Sequence, residues 1–488
     1  MVETIARVLD RPLVERPDAE AVVARSGRLT YRELDTAADR AAGAFAALGM
    51  RTGDHVAVSL PNDLDVVIAF HGAMRLGLVW IGLNTALAGP EKAQILQDSG
   101  ARFLLDGSVD WAGLVASASA SPAVDVDPHA PAGIAYTSGT TGLPRGVVHS
   151  QHNLLLPGAV LVAERGYDAA LRKGDSLPLT ILNLMVLTTL LTAQAGGCCV
   201  VMDRRDPEGV LDWVRDERVT VWNGVPTQLF DLARGYADRR ADLATLTEVW
   251  SGGGDCPDSL RAEFADAFGL PVRATYGLTE APTVVAMDPV GGEWRPGSSG
   301  RALPHLRVQT LDQDGVDVGP GELGEISVHA AESGPWAGRW TPMLGEWSKG
   351  RLRAGRGSLL RTGDLGVLDE EGWVHIRDRR KLVVVRGGAN IYPAEVERVL
   401  LSVPGVVVAA AFGVPSERLG EELAAVVQPA PGAGLTVDAL EAVCRAELAR
   451  YKVPEHWAIV EVLPVNAMGK VIRAQLPALL DREDDQER

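Results

Sequence analysis

Cysteine is scarce in this chain of 488 residues. There are four, Cys198, Cys199, Cys256 and Cys444, and no two are spaced as C-x-x-C. That excludes a disulfide-built scaffold and argues against a structural zinc site or a dithiol redox motif. Cations are the minority charge: 47 Lys and Arg stand against 64 Asp and Glu, for a net charge of −17. Polyanion binding, which needs clustered Lys and Arg, is disfavoured, although one nucleotide in a local pocket is compatible with this balance. Internal repeats and long low-complexity tracts are missing. The opening residues, Met1-Val2-Glu3-Thr4, lack the basic segment and apolar core of a signal peptide, so the expectation is a cytoplasmic protein. One stretch, 176–202, carries no charge, but Pro178, Asn183, Gln194 and Gly196-Gly197 interrupt it. A membrane span needs ~20 apolar residues in a row. The segment reads instead as a buried helix, a turn and a strand at 198–202.

What is present is the composition of a folded globular protein, with 46% hydrophobic and 23% charged residues. The length accommodates roughly three domains or subdomains. Thr30-Tyr31-Arg32-Glu33 is a capping box, and Leu34, Ala38, Ala41, Phe45 and Leu48 follow on one helical face until Gly49. Strands are expected at 55–60, 79–83, 101–105 and 219–222, with helices at 66–76, 207–217 and 260–268. That alternation predicts layered α/β architecture with largely parallel sheets. From about residue 298 short β runs at 306–310, 324–329, 366–368 and 373–377 predict an antiparallel β subdomain. A compact α+β unit follows. Its expected helices start at Pro393 and span 437–449, with strands at 406–412, 423–427 and 457–462.

The sharpest local signal is Tyr136-Thr137-Ser138-Gly139-Thr140-Thr141-Gly142-Leu143-Pro144-Arg145-Gly146. Glycines let backbone N–H groups close around an anion, and hydroxyls add donors, so phosphate is the natural ligand. An ordinary flexible loop has the same composition. Neither the Walker pattern nor G-x-G-x-x-G fits.

This loop resembles the signature of the adenylate-forming superfamily of acyl-CoA synthetases, carrier-loading adenylation domains and firefly luciferase. Further motifs follow in the family's order: Ser251-Gly252-Gly253-Gly254, Thr275-Tyr276-Gly277-Leu278-Thr279-Glu280, Arg361-Thr362-Gly363-Asp364, Asp378-Arg379-Arg380-Lys381 with Arg386-Gly387-Gly388-Ala389-Asn390-Ile391-Tyr392-Pro393, and Asn466-Ala467-Met468-Gly469-Lys470. The match runs from about residue 30 to 476, and acyl-CoA ligases are the most similar branch.

The resemblance implies a large N-terminal domain, 1–378, a hinge at 379–381 around Lys381, and a small mobile α+β domain, 382–488. It implies that Thr137, Ser138, Gly139, Thr140, Thr141, Gly142 and Arg145 bind the ATP phosphates. Gly253, Gly254 and Tyr276 would take the adenine, and Asp364 and Arg379 the ribose. Glu280, after Thr279, would hold Mg²⁺, which takes one or two carboxylates plus phosphate oxygens. Lys470 would serve adenylation, and Gly387 and Gly388 would line the thiol tunnel. For Tyr276, core packing and adenine stacking are compatible.

Three departures from the family pattern stand out. Arg145 replaces the usual lysine, Asp255-Cys256 follow the glycine triplet, and Thr180-Ile181-Leu182-Asn183 lack the usual aromatic gate. Amino-acid activators place an Asp near this last segment, and none occurs in 176–202. A mostly apolar pocket, with Trp222 and Trp250 nearby, is therefore expected, because a desolvated ammonium without a partner is costly. The reading is an ATP- and Mg²⁺-dependent ligase joining a hydrophobic acid to CoA. A carrier-protein phosphopantetheine acting in trans is the alternative acceptor. A luciferase-like monooxygenase and an inactive nucleotide-binding relative are the more distant alternatives.

Overall fold

The computed structural model describes residues 3–484 apart from 122, 138–144, 253–255, 293, 356, 380–381, 387–388, 417 and 467–469. The expected capping box forms: the Thr30 hydroxyl accepts from Glu33 N at 3.2 Å, and Glu33 Oε2 accepts from Thr30 N at 2.8 Å. It opens the helix Tyr31–Ala47, whose buried face carries Leu34, Ala38, Ala41 and Phe45. This helix packs on a second, Leu64–Arg75.

Two large sheets follow from the α/β alternation. The first holds parallel strands Phe103–Asp106, His55–Ser59, Val79–Gly82 and Pro131–Thr137, then antiparallel Arg145–Ser150, Gly345–Ser348 and Arg351–Ala354. The last two strands were not expected; the chain returns from the β subdomain to extend this sheet. The second sheet has a parallel centre, Glu20–Ala24, Cys198–Val201, Arg172–Asp175, Val221–Gly224, Glu248–Ser251 and Val272–Leu278. Antiparallel Gly27–Thr30 closes one edge, and Ala281–Met287 followed by Arg301–Ala302 closes the other. The antiparallel β subdomain is present as Leu306–Leu311, Gly324–Ala330, Leu360–Leu368 and Val374–Arg379.

The uncharged stretch is the expected buried helix. It runs through Leu182–Leu184, the π-helical Met185–Leu190 and Leu191–Ala195, turns at Gly196 in the left-handed region, and enters Cys198–Val201. Leu182, Met185, Val186 and Leu190 fill the core shared with both N-terminal helices. No described helix is long and apolar enough to cross a membrane. Trp222 is not beside this helix. It packs into a separate core under Pro207–Asp216 and Asp258–Phe268, whereas Trp250 shares a core with Leu191.

The last part of the chain builds its own five-stranded sheet from Val384–Arg386, Ala389–Ile391, Val406–Ser416, Gly420–Pro429 and His456–Ile459. Helices Pro393–Leu401 and Val437–Glu447 cover it, and Val396, Leu400, Leu440 and Cys444 fill its core.

Candidate active site

The segment 138–144, with Ser138, Gly139, Thr140, Thr141 and Gly142, lies outside the described residues. Its ends are described. Thr137 and Arg145 face each other in register on adjacent antiparallel strands of the first sheet. Arg145 is exposed, 3.9 Å from the equally exposed Glu346, a separation and setting that hold an arginine weakly.

The second sheet presents its motifs at neighbouring strand ends. Glu248–Ser251 and Val272–Leu278 run parallel, with Ser251 opposite Ala274, so both following segments leave the sheet on one side. Ligands of α/β sheets bind outside these carboxyl ends. Gly253 and Gly254 lie outside the described residues, but Gly252 shows how tight the approach is: a Cβ there would stand 2.1 Å from the Thr275 hydroxyl oxygen. That hydroxyl donates to the Ser251 carbonyl at 3.1 Å.

Thr279 and Glu280 form a hairpin tip. Leu278 pairs with Ala281, which leaves these two residues as the turn, both half-buried. Gly277 sits just before it at a register irregularity, where a Cβ would meet the Thr283 carbonyl oxygen at 1.7 Å. His149, on the strand Arg145–Ser150, lies with Nε2 2.7 Å from the Thr279 carbonyl oxygen. Sequence reasoning missed His149. Its one available signal is its place four residues beyond Arg145 on the same strand.

Tyr276 belongs to the core around Trp250, Leu278 and Val284 and is 9% exposed. Core packing therefore takes most of its ring. Its hydroxyl donates to Asp364 Oδ2 at 2.7 Å, joining the second sheet to the β subdomain. Asp364 is buried, its N–H donates to the Thr362 hydroxyl at 3.1 Å, and it lies directly across the ladder from Arg379. The two residues expected at the ribose are thus adjacent in the sheet. The next residue back, Asp378, accepts from Ala394 N at 2.9 Å, at the start of Pro393–Leu401.

Lys381, Gly387 and Gly388 lie outside the described residues; Arg386 and Ala389 pair on either side of the glycines. Lys470 is exposed and bonded through its backbone to Asn466, which accepts from Lys470 N through Oδ1 at 3.0 Å and donates its own N–H to the Lys470 carbonyl at 2.8 Å. Three residues on, Arg473 donates to Glu397 Oε1 at 2.7 Å and to the Ala411 carbonyl at 2.5 Å. Burial raises the Glu397 pKa, against the pull of Arg473.

Among the described residues no group of three or more His, Cys, Asp or Glu gathers to hold a metal by itself. Glu280 at its hairpin tip is a single half-buried carboxylate. That donor set does not fit a protein cage for zinc or calcium. It fits Mg²⁺, which completes its coordination with phosphate oxygens and water.

Matching to family models gives two hits: AMP-binding enzyme over residues 9–333, and AMP-binding enzyme C-terminal domain over 395–470. The chain belongs to the AMP-binding enzyme family. A feruloyl-CoA synthase of Amycolatopsis is 34% identical to this AMP-binding enzyme over 480 residues, covering 94% of the chain and 96% of the relative. A long-chain-fatty-acid–CoA ligase of Mycobacterium tuberculosis is 32% identical over 487 residues, covering 92% of each. The crystal structure of ATP-bound MatB from Rhodopseudomonas palustris superposes with a TM-score of 0.86 at 28% identity, covering 99% of this chain and 100% of that one. The resemblance read from the motifs thus holds for both parts of the chain, and the AMP-binding enzyme stands among acid–thiol ligases.

Proposed function

We propose that this protein is an ATP-dependent carboxylate–CoA ligase acting on a hydrophobic aliphatic or aryl acid in the cytoplasm. The observation that carries the reading is the Tyr276–Asp364 hydrogen bond, with Arg379 in register beside it, at the carboxyl ends of the parallel strands. It joins two motifs that lie far apart in sequence.

The first step is attack of the acid's carboxylate oxygen on the α-phosphorus of ATP; the bond to the bridging oxygen breaks and pyrophosphate leaves. The glycines and hydroxyls of the sequence between Thr137 and Arg145 supply N–H and O–H donors for the phosphates. Arg145 supplies the positive charge that a lysine gives elsewhere in the family. Asp364 and Arg379 hold the ribose hydroxyls. Gly252 to Gly254 and the remaining exposed part of Tyr276 take the adenine. Glu280 would hold Mg²⁺, which when bound offsets negative charge on the phosphates. Lys470 stabilises the charge that builds between carboxylate and α-phosphate. In the second step the thiolate sulfur of CoA attacks the acyl carbon, the thioester forms, and AMP leaves. The unit 382–488 turns about 379–381 between the steps, withdrawing Lys470 and bringing Gly387-Gly388 to the thiol path.

The acid class rests on the charge-free helix and on its nearest carboxylate. Asp175 is 0% exposed, 3.9 Å from the equally buried Lys173, and accepts from Leu177 N at 2.9 Å and the Thr188 hydroxyl at 3.2 Å. It is already engaged and does not serve a substrate ammonium. The names of the relatives, ligases and synthases for feruloyl and long-chain fatty acids, agree with an apolar acid and with CoA. The test is pyrophosphate release with a panel of fatty, aryl and amino acids, followed by AMP release on adding CoA.

A further inference from the structure

The strand Arg145–Ser150 leaves the phosphate segment, and its fifth residue reaches the other large sheet. His149 Nε2 lies 2.7 Å from the carbonyl oxygen of Thr279, the residue before Glu280. A carbonyl only accepts, so Nε2 carries the proton and Nδ1 is a bare lone pair. Nδ1 is buried and has no hydrogen-bond partner. The side chain is 0% exposed, and burial pushes its pKa down to about 4, so the ring is neutral near pH 7. A leucine would fill this space without leaving a buried lone pair, which is costly. What the imidazole adds is a single donor aimed at a single carbonyl.

That carbonyl belongs to a two-residue hairpin tip whose own ladder ends at Leu278 and Ala281. Within this tip the Thr279 carbonyl is one residue from Glu280, so the direction of the Glu280 carboxylate follows the orientation of that peptide. The bond from His149 ties the tip to the strand Arg145–Ser150, so the two large sheets are joined one residue before Glu280.

We propose that His149 is a positioning residue of the adenylation site, holding the Thr279 carbonyl so that Glu280 is presented to Mg-ATP. The proposal rests on the ligase reading and extends it to a residue outside the family motifs.

Three replacements at His149 separate the donor from the bulk. Glutamine places an N–H donor near the Nε2 position, asparagine reaches only to the Nδ1 position, and leucine fills space without a donor. Binding of ATP with and without Mg²⁺ is measured by calorimetry for the parent and each variant, alongside ATP–pyrophosphate exchange and a urea midpoint. Residues that orient a metal-holding group typically contribute about 10–100-fold in affinity or activity. His149→Leu and His149→Asn should lose that much of the affinity gained from Mg²⁺, with ATP binding in EDTA unchanged, and His149→Gln should recover most of it.

The proposal is overturned if His149→Leu binds Mg-ATP like the parent. It is overturned also if His149→Gln is no better than leucine, or if binding falls equally with and without Mg²⁺, including through a common loss of folding. A parent that binds Mg-ATP yet exchanges no pyrophosphate with any acid defeats the ligase reading instead. The binding comparison would still decide the role of His149.

Discussion

The Tyr276 hydroxyl and the Asp364 carboxylate meet at 2.7 Å across 88 residues of sequence. Tyr276 lies on the last parallel strand of one sheet, two residues past its parallel pairs, and Asp364 sits in an antiparallel subdomain built afterwards. The bond fixes the direction of a buried carboxylate whose proposed work is to hold two ribose hydroxyls. Tyr276→Phe keeps the packed ring and deletes the donor. It should lower stability by about 1–3 kcal/mol, the cost of disturbing one buried hydrogen bond to a charged group. It should also raise the KM for ATP more than it lowers kcat. Urea unfolding and steady-state kinetics read the two effects separately; a variant with unchanged ATP KM contradicts the placement of the ribose.

Glu280→Ala should abolish Mg-dependent adenylation while leaving the fold intact, because the tip it occupies contributes no core side chain. Normal pyrophosphate exchange at ordinary Mg²⁺ would remove Glu280 from the metal.

Lys470→Ala should separate the half-reactions. Loss of a charge-stabilising contact in the transition state costs on the order of 10²–10³ in rate. Acyl-adenylate formation should fall by that factor, while thioester formation from pre-made acyl-adenylate should stay near the parent rate. Equal damage to both steps argues against a lysine that swings away between them.

Acid should weaken the fold through its buried histidines. Desolvation, with Arg75 adding to it at His71, pushes His71 and His305 down to about 3, and desolvation pushes His149 to about 4. Each is lowered in the folded state, so its contribution is full above the unfolded value near 6.5. That contribution is lost as pH falls from there toward the folded value, at up to about 1.4 kcal/mol per pH unit for each ring. Asp175, Asp288 and Glu397 are raised by burial and act in the opposite direction, so the difference between variants is the informative quantity. His305→Gln should show a shallower fall in urea-measured stability between pH 6.5 and pH 5 than the parent; parallel curves contradict the assignment.

Lys173→Met should be among the most damaging single changes in the second sheet. Lys173 and Asp175 are both fully buried, and the lysine also lies 5.0 Å above the Trp250 ring. Removing one partner of a buried ion pair costs about 3–5 kcal/mol. A near-parental urea midpoint would show that Asp175 takes up a proton at no cost.

Much of this was legible in the sequence because the signals are local. Thr30 with Glu33 announces a helix start, the period of Leu34 to Phe45 its buried face, and Pro178 with Gly196-Gly197 the bounds of a buried helix; Leu48, expected on the same face, is exposed just past the helix end. What was not legible is long-range. Gly345–Ser348 and Arg351–Ala354 join the first sheet through pairing with a strand some 200 residues earlier, and no local pattern encodes that. Strand Leu360–Leu368 was expected only from 366, because the Thr-Gly-Asp turn signal hides its first half. Trp222 was placed beside the apolar helix, yet its strand directs it to the opposite face of the sheet. In the candidate site, the motifs named Tyr276, Glu280 and Asp364 but not their mutual contact. His149 carries no motif signal, since its meaning lies in a carbonyl 130 residues away.

The central claim is that the chain makes a CoA thioester through an acyl-adenylate. The most direct measurement follows ATP labelled at the α-phosphate with a hydrophobic acid, first without CoA and then with it. The account predicts acid-dependent pyrophosphate release with the label held as acyl-adenylate, then AMP and acyl-CoA in equal amounts once CoA is added. Acyl-adenylate that CoA does not discharge, or pyrophosphate exchange with α-amino acids and none with fatty or aryl acids, would contradict it.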